Sequence, residues 1–152
     1  MKRVKLTRSI MTALGLSISL FLITGNAQAQ ISTGNGDKNW ITVEGVTRDD
    51  GTLTFSEVQI DGNGWLGIHP FEDGGVNGDK YVARSYLEDG KNLDVSIEVH
   101  KGLEAGEMFF VMLHLDVNEN KVLDFVFVDE LNVMDRAVVE DGTLIGHLIA
   151  AP

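Results

Sequence analysis

The chain has 152 residues, carries a formal charge of −11 and contains no cysteine. Without residues 1–29 it keeps 8 basic and 23 acidic residues, a formal charge of −15. A chain this acidic lacks the basic face that binding to nucleic-acid phosphates requires. The absence of cysteine also excludes disulfides, thiolate metal sites and a cysteine nucleophile.

Residues 1–29 have the organisation of a secretory signal peptide. A basic start precedes an apolar stretch at residues 10–23, and Ala27-Gln28-Ala29 forms a small-x-small cleavage site. The apolar stretch is shorter than the ~20 residues that cross a bilayer, which disfavours the alternative of an uncleaved anchor. We predict that the mature protein begins near Gln30, has no membrane span and is exported to the periplasm or the cell exterior.

Residues 30–39 are rich in Gly, Ser, Asn and Asp and predict a flexible leader. From residue 40 onward, short apolar runs alternate with acidic glycine turns, because Asp-Gly supplies the positive φ that tight hairpins need. These turns include Asp50-Gly51, Asp73-Gly74 and Asp141-Gly142. Turn signals at about ten-residue spacing predict an all-β domain over residues 40–152. We expect a single antiparallel, immunoglobulin-like β-sandwich, with a closed barrel as the alternative.

Hydrophobic periodicity locates the strands. Residues 93–99 alternate strictly between apolar and polar, which predicts a strand with Leu93 on its buried face. In residues 52–60 the apolar positions change parity, which predicts a kink or bulge near Ser56. Residues 108–115 are apolar almost throughout, as in a central strand. Further strands are predicted at residues 40–46, 65–69, 81–84, 122–128, 137–140 and 144–149, and one helical turn at 84–88.

Three segments in a fixed order carry a resemblance to a known family. They are residues 64–69 (GWLGIH), 85–90 (SYLEDG) and 112–120 (MLHLDVNEN), the last followed by Asp124-Phe125. Over about residues 40–149 the chain resembles the domain of unknown function 7282, an uncharacterised exported domain of haloarchaeal and bacterial surface proteins. The resemblance implies an exported β domain without an established activity, and it supplies no catalytic residues.

The loop at residues 116–124, called here the aspartate loop, carries a metal-ligand pattern. Asp116, Asn118, Asn120 and Asp124 stand at positions 1, 3, 5 and 9, and the carbonyl of Val122 stands at position 7. This is the spacing of the front half of an EF-hand calcium loop, in which alternate oxygen ligands converge on a hard cation. The sequence therefore offers a candidate calcium site.

The aspartate loop departs from the EF-hand pattern at two positions. Position 6 is Lys121 where glycine is usual, and position 12 is Phe127 where a bidentate glutamate is usual. Glu119 and Asp129 are the carboxylates available to complete the shell. The alternative is a plain hairpin turn in which the Asp and Asn side chains bond their own backbone.

His69 and His114 form the alternative metal candidate. Each closes an apolar run just before a loop, so both are expected at the same end of the sandwich. Together with Asp116 they would offer Zn²⁺ or Cu²⁺ three ligands. The simpler interpretation is that each imidazole bonds to backbone at a strand end.

The sequence contains no nucleophile elbow, phosphate-binding glycine loop or His-Glu-x-x-His motif. We therefore expect no enzyme but an exported, non-catalytic module that binds an unknown ligand or envelope component, with Ca²⁺ as its candidate ion. The alternative is a periplasmic transition-metal (Cu/Zn) binding protein that uses His69 and His114.

Overall fold

The computed structural model describes residues 31–99, 103–124 and 135–152. The predicted signal peptide at residues 1–29 lies outside this part, as do Phe127, Asp129 and most of the predicted strand at 122–128. Within the described residues the regular structure is all β, without a helix. The predicted fold class is confirmed at this level.

The described residues form eleven strands. They are β1 (Ser32–Gly34), β2 (Trp40–Ile41), β3 (Thr47–Asp49), β4 (Thr52–Ile60), β5 (Gly64–Glu72), β6 (Gly75–Val76), β7 (Ala83–Leu87), β8 (Gly90–Glu98), β9 (Met108–Leu115), β10 (Val139–Glu140) and β11 (Thr143–Ala150). The predicted strand at residues 108–115 coincides with β9.

The strands pair into two sheets. The larger sheet has the order β1-β11-β9-β5-β6, with β10 also paired to β11 and β7 also paired to β5. The smaller sheet has the order β2-β4-β3, with β8 also paired to β4. All pairings are antiparallel except that of β1 with β11, which is parallel. The larger sheet is therefore mixed, which the prediction of purely antiparallel sheets did not include.

Both sheets contribute to one hydrophobic core. Phe55 and Ile60 of the smaller sheet and Leu66, Phe109 and Leu113 of the larger sheet belong to the same cluster and are fully buried. Burying each of these side chains contributes about 1.5–3 kcal/mol relative to exposure. The shared core explains how the domain is held together without a disulfide.

The predicted Asp-Gly hairpins are confirmed. Asp50, Asp73 and Asp141 have φ values of 42°, 52° and 47°, and each is followed by a glycine that also has positive φ. They join β3 to β4, β5 to β6 and β10 to β11. Two consecutive positive φ angles match the twist of the flanking strands, which is why this dipeptide favours hairpins.

The kink predicted near Ser56 is confirmed, and it extends to the neighbouring strand. Phe55 and Val58 are both buried although they differ in parity, so the inward face of β4 changes there. On β8, the partner strand, Asp94 has a φ of 49° and Val95 is buried. Leu93 is 64% exposed, so its predicted place on the buried face was wrong. The shared kink turns it outward.

Two further predictions need correction. Residues 84–88 do not form a helical turn, because β7 pairs with β5 there. The predicted leader at residues 30–39 contains β1, which joins the larger sheet. The Glu140 carboxylate also accepts the backbone N–H groups of Asp37, Lys38 and Asn39 at 2.9–3.3 Å. This segment is therefore bonded to the domain.

Candidate metal sites

The aspartate loop begins directly after β9, the strand between β5 and β11. Asp116 is only 4% exposed, and its N–H donates to the carbonyl of Asn63 at 3.0 Å. Its carboxylate accepts the N–H of Asn120 at 3.2 Å and the N–H of Lys121 at 2.9 Å. Two peptide dipoles thus stabilise a carboxylate that is almost withdrawn from water.

The backbone of the loop adopts the turn that the ligand spacing requires. Lys121, at the position where EF-hands use glycine, has a φ of 58°, and Glu119 has a φ of 55°. A residue other than glycine in this region costs free energy, about 1–2 kcal/mol. The loop therefore makes a tight turn although neither of these two positions is a glycine.

The structure brings together the four side chains predicted as ligands. The amide Nδ2 atoms of Asn118 and Asn120 donate to the same oxygen of Asp124, Oδ2, at 3.2 and 2.8 Å. The backbone N–H of Val122 donates to Oδ1 of Asn120 at 2.7 Å. The side chains of Asn118, Asn120 and Asp124 thus form one hydrogen-bonded cluster, to which the Asp116 carboxylate is linked through the backbone N–H of Asn120. This arrangement is also compatible with the plain polar turn.

Asp135 belongs to this cluster, although sequence reasoning did not identify it. Its side chain is fully buried, and its Oδ2 accepts the N–H of Asp124 at 2.6 Å. Its Oδ1 is buried without a hydrogen-bond partner. Burial raises the pKa of Asp135, the charges of Asp116 and Asp124 raise it further, and the N–H groups of Asp124 and Val117 oppose the rise. Only the folded chain reveals this neighbour, because ten residues separate it from Asp124.

Tyr86 of β7 borders the aspartate loop. Burial raises the pKa of its phenol, and the carboxylate of Asp116 adds to the rise by its charge and by a hydrogen bond, while the charge of Lys121 opposes it. The Nζ atom of Lys121 lies 4.7 Å from the centre of the Tyr86 ring. An aromatic side chain that absorbs ultraviolet light therefore lies beside the predicted first ligand.

The second candidate site is the pair formed by His69 and His114. Both side chains are fully buried, and their Nε2 atoms lie 3.0 Å apart, a hydrogen-bond distance. The Nδ1 atom of His69 lies 2.6 Å from the carbonyl oxygen of Lys80, to which it can only donate. His69 Nε2 is then an acceptor in the neutral ring, and His114 Nε2 lies at hydrogen-bond distance from it.

The environment keeps both imidazoles neutral. Burial lowers the pKa of His69. Burial, with the neighbouring His69 adding to its effect, lowers the pKa of His114 to about 3. Gly67 makes room for the pair, because a Cβ atom there would lie 3.2 Å from His69 Nε2 and 3.4 Å from His114 Cδ2. The close packing of the two imidazoles thus depends on a glycine at position 67.

The expected position of the histidines was only partly right. The structure brings the two imidazoles together, but His69 lies within β5 and not at its end. Among the described residues, no three His, Asp or Glu side chains are placed to hold a metal ion by themselves, so Asp116 does not join the pair. In the aspartate loop the grouped donors are two carboxylates and two amides.

Residues 31–99, 103–124 and 135–152 contain no helix that is long and apolar enough to cross a membrane.

Comparison with family models identifies the family of the chain. The family model described as "Domain of unknown function (DUF7282)" matches residues 39–147, which include β2 to β9 and both candidate sites. Neither a curated protein nor a solved structure matches the chain. The match coincides with the resemblance carried by residues 64–69, 85–90 and 112–120.

Proposed function

The chain belongs to the family of domain of unknown function 7282, and we propose that it is an exported, non-catalytic binding or envelope module that calcium stabilises through the aspartate loop. The shared core of the two sheets supports the further proposal of an immunoglobulin-like β-sandwich. Its binding partner, a ligand or a component of the envelope, stays a prediction.

The observation that carries the calcium proposal is the convergence of two amides on one carboxylate oxygen. Rotating each amide of Asn118 and Asn120 by half a turn would point its oxygen, not its nitrogen, towards Asp124 Oδ2. The rotation would break the bonds that the two amide oxygens now accept from the N–H groups of Asn120 and Val122, so the cation has to compensate for their loss. The two orientations have nearly the same shape, and the bonding partners decide between them. Three oxygen atoms would then face one another, which is favourable only around a cation. Ca²⁺ accepts such neutral and anionic oxygens in flexible geometry.

The charge of the chain supports the same proposal. A protein with an excess of 15 acidic residues after residue 29 repels itself, which destabilises the compact state. A divalent cation at the aspartate loop would reduce this repulsion near Asp135, on which the charges of Asp116 and Asp124 act. High salt would screen exposed charges as well, so the test below is made at fixed ionic strength.

The test is thermal unfolding with calcium and with chelator. Extracellular calcium modules bind with Kd values of about 10⁻⁴–10⁻³ M. At a free calcium concentration 100 times Kd, the ion stabilises the fold by about 2.7 kcal/mol. For a domain of this size we expect Tm to rise by about 10 °C.

Two variants and one matched control make this test specific. Asp116→Ala and Asp124→Asn should abolish or strongly reduce the calcium response. Asp73→Asn removes the same charge from the β5–β6 turn, where Asn tolerates the φ of 52°, and should respond as the wild type does. A Tm that calcium leaves unchanged in the wild type would remove the ion from the proposal.

Export is tested separately, by producing the full chain in a bacterium with a periplasm. Processing after Ala29 predicts an extracytoplasmic product that begins with Gln30 and carries no membrane anchor. Mass spectrometry of the product reads its N-terminus directly. An unprocessed product in the cytoplasm would contradict this part of the proposal.

The second candidate function is transition-metal binding by His69 and His114, which the 3.0 Å approach of their Nε2 atoms favours. Two imidazoles provide only two of the three or four ligands that Zn²⁺ takes. Titration with Zn²⁺ or Cu²⁺, followed through the imidazole NMR signals, tests the proposal. Unmoved signals of both histidines would dismiss it.

A further inference from the structure

We propose that Asp135, through its Oδ1 atom, supplies the calcium ligand that the aspartate loop lacks at position 12. This inference rests on the proposed calcium function and names a residue that the EF-hand spacing does not include. Three observations carry it: the complete burial of Asp135, its unpartnered oxygen, and its bond to the last residue of the loop.

Asp135 Oδ1 is a buried oxygen without a hydrogen-bond donor. A buried carboxylate oxygen without a donor costs free energy, so native structures rarely keep one without a reason. Asp135 Oδ2 is occupied by the N–H of Asp124, which fixes the carboxylate against the loop. The N–H of Val117 also acts on this carboxylate, but Oδ1 forms no hydrogen bond of its own. Oδ1 is therefore open to a partner outside the protein, and a cation between carboxylates is a partner that suits this environment.

The aspartate loop lacks the carboxylate that completes an EF-hand calcium site. An EF-hand completes its calcium shell with a glutamate at position 12, and this chain has Phe127 there. The N–H of Asp124, at position 9, holds the Asp135 carboxylate beside the loop. The position of Asp135 is therefore not set by the ligand spacing within the loop. A carboxylate from the next described segment, residues 135–152, replaces the missing one.

The three carboxylates need a rearrangement before they can share a cation. In the described arrangement Asp116, Asp124 and Asp135 do not surround a common point as a complete metal site would. The amide hydrogens of Asn118 and Asn120 occupy the side of Asp124 that a cation would take. Rotation of both amides would free that position for a cation that Asp124 and Asp135 could share.

The inference gives calcium a structural consequence. Residues after Asp135 connect with β9, because the N–H of Leu115 donates to the carbonyl of Arg136 at 2.9 Å and His114 forms a bridge with Ala137. A cation held by both Asp116 and Asp135 would join the two ends of the segment between β9 and β10. Calcium would thereby fix the returning chain to the larger sheet.

The experiment is calorimetric Ca²⁺ titration of the wild type and of Asp135→Asn, with Asp124→Asn and Asp73→Asn as references. We expect Asp135→Asn to weaken calcium binding by at least about tenfold. It should not lower the Tm of the calcium-free protein, because Asn keeps an oxygen for the N–H of Asp124 and removes a buried charge. Tb³⁺ luminescence excited through Tyr86 gives a second readout of the same site.

A measurement on the wild type decides the matter if Asp135→Asn does not fold. The side-chain carboxyl ¹³C signal of Asp135 should shift on calcium saturation together with those of Asp116 and Asp124, while the signal of Asp73 stays in place. Suppose that the wild type binds calcium and Asp124→Asn does not. If Asp135→Asn then binds calcium normally, or the Asp135 signal does not move, this inference is overturned and the calcium function stands. If the wild type binds no calcium, both are overturned.

Discussion

The histidine pair and the aspartate loop solve the same problem in opposite ways. Both are polar clusters at the C-terminal end of β9, and each contains fully buried titratable groups. His69 and His114 are paired with each other, and burial lowers the pKa of both. The carboxylate of Asp116 instead receives two backbone N–H groups. A buried titratable group can thus be accommodated in two ways: its neutral form is favoured, or backbone N–H groups point at its negative charge. Only the second leaves a negative potential for a cation.

The largest effect is expected from deleting one member of the pair. His114→Ala leaves a cavity in a closely packed sheet and removes the ring that lies 3.0 Å from His69 Nε2. We expect a loss of about 3–5 kcal/mol, measured by urea unfolding. His147→Ala, at a half-buried position of β11, serves as the control and should cost clearly less. Equal losses at the two positions would contradict the special role of the pair.

The pH dependence of stability tests the neutrality of the pair. Burial lowers the pKa of both histidines, that of His114 to about 3. The unfolded chain therefore takes up protons near pH 6.5 before the folded chain does, and stability falls as the pH is lowered from about 6.5 towards 3. Each histidine changes the free energy of unfolding by up to about 1.4 kcal/mol per pH unit in this range.

Asp135 acts in the opposite direction, because burial raises its pKa in the folded state and its protonation favours folding at low pH. Melting curves are therefore recorded in the Asp135→Asn background as well. Imidazole NMR signals resolve the two histidines directly. A His114 ring that becomes protonated between pH 7 and 5 in the folded protein would break the comparison.

Gly67 tests whether the pair depends on space. Gly67→Ala places a Cβ atom 3.2 Å from His69 Nε2 and should destabilise the domain by about 1–3 kcal/mol. Gly75→Ala is the matched control, because no atom lies within 4 Å of its Cβ position. If thermal unfolding shows the same small change for both variants, the histidines have room to move and the close fit is not required.

The smallest effect is expected in the aspartate loop. Lys121→Gly removes the unfavourable left-handed conformation at φ 58° and should raise stability by about 1 kcal/mol. It also removes a positive charge beside the proposed cation, so calcium affinity should rise. Glu119→Gly relieves similar strain at φ 55° but removes a negative charge. Opposite changes in their calcium affinities would sharpen the electrostatic argument, and equal changes would contradict it.

The sequence was most informative where local chemistry decides the structure. Alternation and Asp-Gly dipeptides predicted the hairpins, and the parity change around Ser56 predicted the kink in β4. Leu93 was assigned to the wrong face because the kink passes from β4 to β8 through strand pairing, which a single strand does not reveal. Residues 84–88 were assigned to a helical turn because their pairing with β5 is tertiary.

In the candidate sites, too, local contacts were predicted and tertiary contacts were missed. The spacing of Asp116, Asn118, Asn120 and Asp124 predicted that their side chains come together, because a tight loop brings alternate residues to one side. Asp135 was missed because its approach depends on the chain returning to β9. The direct contact of His69 with His114 depends on strand register and on the absence of a side chain at Gly67. Neither can be read from spacing.

The kink shared by β4 and β8 has a consequence for how copies of this protein meet at high concentration. Among the described strands β8 pairs only with β4, so one side of a nine-residue strand is left as an edge. A long, flat edge invites another strand to add to it and so promotes aggregation. The left-handed residue Asp94 interrupts this edge in the middle and places an acidic residue there. Fibre formation through β8 is thereby discouraged.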